Sequence, residues 1–279
     1  MDRFGAFIRA HSRAFAGSLP DFVFFVCFVV NNPDEVRSIR VDSCAFVVKL
    51  NCFDSMTMNV FLLNAHPEPR SFNGALFRTA QETLRAAGHV VTVSDLYAMK
   101  FDPVSDRRNF TSVKDPGYFK QQIEEMHATE VGGFAPDVEA ELRKMEACDL
   151  MIWQFPLWWF GLPGILKGWA DRVFAMGRTY GGERFYENGQ FKGKRALLSL
   201  TTGGPQPAYQ KGGWNGDIHA ILRPTQRGIL RFTGWDVLAP HIVYAPVRVS
   251  EEQRQASLQS WAARLRTIES ESPIEVGEY

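Results

Sequence analysis

The sequence predicts an α/β fold in which a parallel, doubly wound sheet of five strands carries helices on both faces. Short apolar runs alternate along the chain with longer segments in which apolar residues recur every three or four positions. This alternation of strand and helix is the pattern of a parallel sheet. The strand runs are apolar without interruption, as expected where both faces of a sheet are buried.

The first elements follow from these periodicities. The run MNVFLLN, beginning at Met58, predicts a buried strand, and the next segment predicts a helix with Ser71 as its N-cap. Leu76 and Leu84 belong to the apolar stripe of this helix, and Gly88 marks its end. HVVTVSDL predicts the second strand.

The remaining elements complete a five-stranded domain. A polar segment at 97–136 is too long for an ordinary connection, which predicts a role in function or partner binding. Then follow a helix (PDVEAELRKMEACD), a strand (LMIWQF), a helix opened by Pro163, a strand (RALLSLTT), a helix at 217–232, a strand near 237–244 and a last helix capped by Ser250. This order fits a flavodoxin-like domain over 58–279, in which ligands bind beyond the carboxyl ends of the strands.

Residues 1–57 do not follow this pattern. They hold three of the four cysteines and an apolar run of nine residues, Phe22–Val30. A helix needs about 20 apolar residues to cross a bilayer, so this run is too short. We interpret the segment as a disordered or non-native N-terminal extension, with the functional chain starting near Met56 or Met58. A targeting segment is the alternative.

Composition excludes several classes of function. Lysine and arginine total 31 and so do aspartate and glutamate, which gives no basic surplus for nucleic acid and predicts no membrane insertion. The four cysteines include no CxxC pair and no spacing with histidine that is typical of a metal site. These features predict a cytoplasmic protein in a reducing compartment.

The loop after the first strand is the first candidate for ligand binding. It places His66 beyond the strand and Ser71, Phe72 and Asn73 at a helix N-terminus, where free backbone N–H groups favour a phosphate. The alternative is that Ser71 only caps the helix and His66 lies on the surface. Neither GxGxxG nor a P-loop motif occurs in the chain.

The loop after the third strand is strongly aromatic. Trp158, Trp159 and Phe160 follow the strand, where they would expose a large apolar patch unless a flat molecule covers them. An isoalloxazine ring is such a molecule. The loop after the fourth strand begins with TTGG, where glycines let the backbone approach a ligand closely, and Tyr209 could present its hydroxyl to a developing anion.

The motifs of these loops resemble one known family. QFPLWWFGLPGILKGWADRVF, TTGG with the following tyrosine, GGWNGD and PTQRGILRFTGWDVLAP are similar to segments of the NAD(P)H:quinone oxidoreductases of the DT-diaphorase type. The similarity extends over Met58 to Pro273. It implies a flavodoxin-like fold, bound FAD, a homodimer, and two-electron reduction of quinones by hydride transfer from NAD(P)H through the flavin.

The resemblance also implies roles for individual residues. Together with Ser71 at the helix N-terminus, the cofactor-binding set is His66, Phe72, Asn73, Leu157, Trp158, Trp159, Phe160, Thr201, Thr202, Gly203, Gly204, Tyr209 and Arg254. The substrate-binding set is Trp159, Phe160, Tyr180 and Phe232, of which the last two would enter the active site of the partner subunit. The catalytic set is Tyr209, Asn215 and Gly203.

Three departures from the family pattern affect the expected chemistry. The best-known members have a histidine where this chain has Asn215, which can donate a hydrogen bond but cannot take up a proton. A branch with asparagine there prefers simpler dihydronicotinamide donors, so the choice of donor stays open. That branch also has a metal site, but its histidine positions are Arg227 and Arg231 in this chain, and we expect no metal.

Other classes of function remain as alternatives. The same fold occurs in FMN-dependent azoreductases and nitroreductases. It also occurs in flavin-binding ancillary regulators of potassium-efflux systems, which are binding subunits rather than enzymes. The last alternative is an α/β binding module in which the aromatic loop belongs to the core.

Overall fold

The computed structural model describes residues 57–279 of the chain. The predicted extension, up to residue 56, lies outside the described residues. Within the described part, no helix has the length and apolar character needed to span a membrane.

The sheet has the predicted parallel, doubly wound topology. Its strands are β1 (Asn59–Asn64), β2 (Val90–Asp95), β3 (Leu150–Pro156), β4 (Arg195–Thr202), β5 (Asp236–Val237) and β6 (His241–Tyr244). The order is β2-β1-β3-β4-β5, with β6 also paired to β4, and every strand pair of the described chain is parallel. The flavodoxin-like α/β class is therefore confirmed.

The last strand differs from its prediction as one element near 237–244. It is two short strands, β5 and β6, which both pair with β4 but lie on either side of a break at 238–240. Leu238 still donates its backbone N–H to the carbonyl of Ala196. Pro240 has no N–H to donate, so it interrupts the ladder there.

Helices cover both faces of the sheet, as predicted. They are α1 (Phe72–Ala86), α2 (Gln121–Val131), α3 (Pro136–Ala147), α4 (Gly164–Val173), α5 (Ile218–Thr225) and α6 (Glu251–Leu265). One apolar cluster joins α1 and α6 to the side chains of Val60 and Leu62, whereas the other joins α3, α4 and α5 to Phe61 and Leu63. Neighbouring residues of β1 thus enter opposite clusters, because side chains of a strand alternate between its faces.

The predicted N-caps of two helices are confirmed. Ser71 accepts the backbone N–H of Gly74 at the start of α1. Ser250 forms a complete capping box with Gln253 at the start of α6. The helix predicted at 217–232 begins as α5 and continues, from Gln226 to Thr233, as π-helical and 3₁₀ turns.

The polar segment at 97–136 contains helix α2, which the sequence prediction missed. The buried face of this helix carries two carboxylates, Glu124 and Glu125, rather than an apolar stripe. Glu124 accepts the backbone N–H groups of Lys114 and Asp115, which lower its pKa. Glu125 accepts the N–H of Met176 at 2.7 Å, although burial raises its pKa overall. These bonds hold α2 to the residues before it and to Met176, without an apolar periodicity that a sequence could reveal.

Candidate active site

Three of the predicted ligand-facing loops leave the same edge of the sheet. In the parallel register, Asn64 at the end of β1 lies opposite Gln154, and Pro156 at the end of β3 lies opposite Thr201. The loops that start at residues 65, 157 and 203 therefore begin side by side, at the edge where doubly wound folds bind ligands.

A buried chain of polar side chains ties these loops together. Asn73, in the first turn of α1, donates its side-chain N–H to Oγ1 of Thr201 at 2.8 Å. Its amide oxygen accepts Nε2 of Gln154, also at 2.8 Å. Asn73, which is buried, thus links the N-terminus of α1 to β3 and β4.

The aromatic loop after β3 is a tight hairpin turn with a strained backbone. Trp158 and Gly161 exchange backbone hydrogen bonds of 3.2 and 3.0 Å across it. Trp159 and Phe160, its two central residues, have φ of 50° and 58°. Such turns normally use Asn-Gly or Gly-Gly, and bulky residues in this region cost on the order of 1–3 kcal/mol each.

The strain holds large apolar side chains out of the core. Trp159 is 97% exposed and Phe160 52% exposed. Trp158, beside them, lies with its ring 6.2 Å from the ring of His66. Strain and exposed aromatic surface together make this hairpin a candidate binding surface.

The glycine loop after β4 gathers the predicted catalytic residues. A Cβ at Gly203 would meet nothing within 4 Å, so the space beside it is open. A Cβ at Gly204 would lie 3.2 Å from the ring of Tyr209 and 3.4 Å from the side-chain nitrogen of Asn215. Thr202 donates its hydroxyl to the carbonyl of Gly204 and so shapes this turn. Tyr209 and Asn215 therefore face the same glycine.

The loop after β1 presents hydrogen-bond donors. His66 has Nδ1 3.0 Å from the backbone nitrogen of Glu68 and 3.1 Å from its carbonyl oxygen. Because a backbone N–H can only donate, we assign Nδ1 as the acceptor, which places the proton of a neutral ring on Nε2. The backbone N–H groups of Phe72 and Asn73 donate to no group of the described chain. The hydroxyl of Ser71 already caps α1.

Arg254 lies at the same edge, but its guanidinium binds groups in its own loop. Its guanidinium donates to the carbonyls of Pro246 and Val249 and pairs with Glu251 at 2.7 Å. All three of its nitrogens are thus engaged, so Arg254 fixes the connection from β6 to α6. Its predicted contact with the cofactor stays a prediction.

Tyr180 and Phe232 come together away from these loops. Their rings lie 5.7 Å apart, and Phe185 and Tyr186 complete the cluster around Phe232. The pair lines a cavity of about 550 Å³ whose other walls come from α2, α4 and the turn after α5. Burial is the main reason that the pKa of Tyr180 is raised.

The donor set at the sheet edge fits a flavin. A flat apolar surface on the aromatic hairpin, open space beside Gly203 and free N–H groups at the α1 N-terminus match a planar ring and a phosphate-bearing chain. Residues 57–279 contain no group of three or more His, Cys, Asp or Glu side chains that could hold a metal ion.

Comparison with known proteins identifies the family. The model of the flavodoxin-like fold family matches residues 58–267. The chain belongs to this family. It is 45% identical over 216 residues to the ribosyldihydronicotinamide dehydrogenase (quinone) of Pongo abelii, covering 77% of this chain and 94% of the relative. It is 44% identical over 211 residues to NAD(P)H dehydrogenase (quinone) 1 of Rattus norvegicus, covering 75% and 77%.

A solved structure gives the same result. A provisionally named quinone reductase from Klebsiella pneumoniae superposes with a TM-score of 0.76 at 40% identity, covering 78% of this chain and 87% of that one. The resemblance inferred from the motifs is thereby confirmed.

This flavodoxin-like protein also has site residues that sequence reasoning missed. Gln154 supports Asn73, and its one signal is a polar residue inside an otherwise apolar strand. Tyr244, at the end of β6, lies with its ring 6.0 Å from that of Tyr209. Burial, followed by the nearby charge of Asp217, raises the pKa of Tyr244. No local sequence pattern pointed to Tyr244, because only the sheet brings β6 beside β4.

Proposed function

We propose that this chain is an FAD-dependent reductase that transfers hydride from NAD(P)H through the flavin to quinones. The observation that carries the proposal is the hairpin at Trp159 and Phe160, where two bulky residues are held at positive φ with their rings in solvent. A flat cofactor that covers these rings would offset the cost of the strain.

The relatives support this reaction over its alternatives. Six relatives at 43–47% identity, each matched over 75–77% of this chain, are named for the dehydrogenation of NAD(P)H or ribosyldihydronicotinamide with quinone as acceptor. An azoreductase, a channel regulator and a plain binding module are not favoured by these names. The names do not decide the hydride donor, because some relatives are named for ribosyldihydronicotinamide and others for NAD(P)H.

We favour FAD over FMN for a structural reason. An adenosine needs a surface beyond the flavin ring, and this chain has long elements that could supply it, namely the 97–136 segment with α2 and the helix α6. Both are held by specific bonds, through Glu124 in the first case and Arg254 in the second. A minimal FMN-binding chain needs neither.

In this proposal, different residues of the chain bind the cofactor, exclude water and stabilise the developing anion. Bound FAD supplies the capacity for two-electron hydride transfer. The apolar hairpin would exclude water from the site, and the N–H groups of Phe72 and Asn73 would bind the phosphate of the cofactor. The hydroxyl of Tyr209 and the amide of Asn215 face one glycine and offer donors to an anion that develops there. Gly203 leaves open space beside this loop, where a substrate would fit.

We further propose that the active unit is a cytoplasmic homodimer. Tyr180 and Phe232 form an aromatic cluster beside a cavity, which is the composition of an interface anchor. In the dimer this cluster would close the site of the partner subunit. A light-scattering mass of one chain at full quinone turnover would contradict it.

One experiment tests the cofactor and the reaction together. The full chain is purified, its flavin is released by heat, and the mass of the flavin is measured. NADH, NADPH and a dihydronicotinamide riboside are then compared as donors with menadione. We expect FAD and parallel lines in double-reciprocal plots, because one slot serves donor and quinone in turn. Released FMN would refute the cofactor, and no quinone-dependent oxidation of any donor would refute the function.

A further inference from the structure

Trp214 is an exposed tryptophan that none of the roles above uses. It is 96% exposed and lies in the loop between β4 and α5. Its immediate neighbour, Asn215, has its side-chain nitrogen 3.4 Å from the Cβ position of Gly204. Trp214 therefore stands at the border of the candidate active site.

The backbone around Trp214 is held in one conformation. Gly216 donates its N–H to the carbonyl of Gly213 at 3.0 Å, which closes a turn with Trp214 and Asn215 at its two central positions. Asn215 also donates its N–H to the carbonyl of Ala208 at 2.9 Å. Both side chains thus project from one turn that is fixed to the segment preceding Tyr209.

Glycine is required where this turn meets its neighbours. A Cβ at Gly213 would lie 2.5 Å from the carbonyl oxygen of Pro207 and 2.7 Å from that of Ala208, so only glycine allows this packing. Gly212 and Gly216 have φ of 85° and 78°, in the region that favours glycine. The backbone position of Trp214 is therefore set by the fold, and the exposure of its side chain is not the result of a loose loop.

The surroundings of Trp214 favour a neutral, flat occupant. Residues 212–216 contain no charged side chain, and the two charges that flank them, Lys211 and Asp217, are opposite in sign, whereas a nicotinamide dinucleotide carries phosphates that need cationic partners. A quinone is flat and uncharged, and a ring fused or attached to it would extend past the glycine loop. An indole face stacks well on such a ring.

We propose that Trp214 is a specificity-determining residue that stacks on the outer rings of a quinone. The proposal rests on the proposed quinone reductase function and adds the substrate class: quinones with two or more rings are preferred over single-ring quinones. A stacking contact of this kind changes affinity by about three- to tenfold.

The test compares Trp214→Ala and Trp214→Phe with the wild-type full chain. Steady-state kcat and KM are measured for 1,4-benzoquinone, menadione and phenanthrenequinone at saturating donor. In Trp214→Ala we expect KM to stay within about twofold for benzoquinone and to rise by about three- to tenfold for phenanthrenequinone. Trp214→Phe keeps an aromatic face and restores most of the preference. Val90→Ala, which changes an exposed apolar residue at the amino end of β2, is the matched control.

Other outcomes overturn the proposal. If KM changes equally for all three quinones, or does not change, Trp214 does not determine selectivity among quinones. Loss of bound flavin would assign Trp214 to the cofactor, a changed KM for the donor alone would assign it to the nicotinamide, and a changed molecular mass would assign it to the subunit interface. Turnover of 1,4-benzoquinone by the wild-type chain tests the proposed function separately. If this turnover is absent, the proposed function fails, whatever the Trp214 variants do.

Discussion

The seven tryptophans of this chain form two sets with opposite surroundings. Four of them, Trp153, Trp169, Trp235 and Trp261, are buried to 1% exposure or less. The other three, Trp158, Trp159 and Trp214, are exposed and lie in loops that follow β3 and β4. Trp153 and Trp158 are only five positions apart, so sequence distance does not distinguish the sets.

The difference lies in what each indole contacts. Trp169 donates its N–H to Glu141 at 2.9 Å and packs edge-on against Trp153, with ring centres 5.7 Å apart. Trp261 donates to the carbonyl of Leu76 and stacks on His241 at 4.3 Å. In the exposed set, Trp158 has a looser ring contact, 6.2 Å to His66, and Trp159 lies at positive φ. Buried tryptophans therefore stabilise the fold, whereas the exposed ones are available to ligands.

The largest effect that this comparison predicts is on stability. Trp169→Ala should lower the free energy of unfolding by about 3–5 kcal/mol, because it leaves a large cavity and removes one of the hydrogen-bond donors to the buried carboxylate of Glu141. Urea denaturation followed by circular dichroism measures this.

Trp159→Ala is the matched control for that change. In flavin-free protein it should alter stability by less than about 0.5 kcal/mol, because the side chain lies in solvent. In flavin-loaded protein it should weaken cofactor retention. Equal losses of stability in the two flavin-free variants would mean that the comparison between the sets is wrong.

The next effect is the pH dependence of stability that comes from His241, which stacks on the buried Trp261. Burial, followed by the charge of Arg264, lowers the pKa of His241 to about 4. The unfolded histidine has a pKa near 6.5, so the unfolded chain takes up the proton first as the pH falls. This contribution to stability is complete above about pH 6.5 and is lost between about 6.5 and 4, for a total of about 3 kcal/mol.

His241→Phe sharpens this prediction. Phenylalanine keeps a flat ring against Trp261 but cannot titrate, so the variant should lose less stability than the wild type between pH 7 and pH 5. Urea midpoints at the two pH values report the difference. Identical pH dependence in both proteins would show that His241 does not contribute.

The smallest effect is on the rate of flavin reduction at the candidate active site, beside the exposed tryptophans. Tyr209→Phe removes a hydroxyl donor without changing the ring, and it should slow reduction of the bound flavin by about tenfold or more. Asn215→His should keep or raise this rate and add a pH dependence near about 6.5. Stopped-flow absorbance of the flavin after mixing with NAD(P)H measures both. An unchanged rate in Tyr209→Phe would remove its role in stabilising the anion.

The sequence by itself determined the order and class of most elements. Continuous apolar runs identified β1, β3 and β4, and the serine caps of α1 and α6 were readable because capping depends on residues three positions apart. The aromatic and glycine loops were also readable, since they immediately follow those strands. Helix α2 was not, because hydrogen bonds to N–H groups outside the helix, rather than an apolar stripe, hold its buried glutamates.

Only the tertiary structure decided which residues meet. The contact of Asn73 with Gln154 and Thr201 joins residues 81 and 128 positions apart. It also decided that Tyr244 lies beside Tyr209, that Arg254 binds its own loop, and that Trp159 is held in strained backbone. The contacts of Asn73 and of Tyr244 depend on the pairing of β1, β3, β4 and β6 in one sheet. Local sequence patterns report the period of a strand or helix, but long-range pairing sets the neighbours of each side chain.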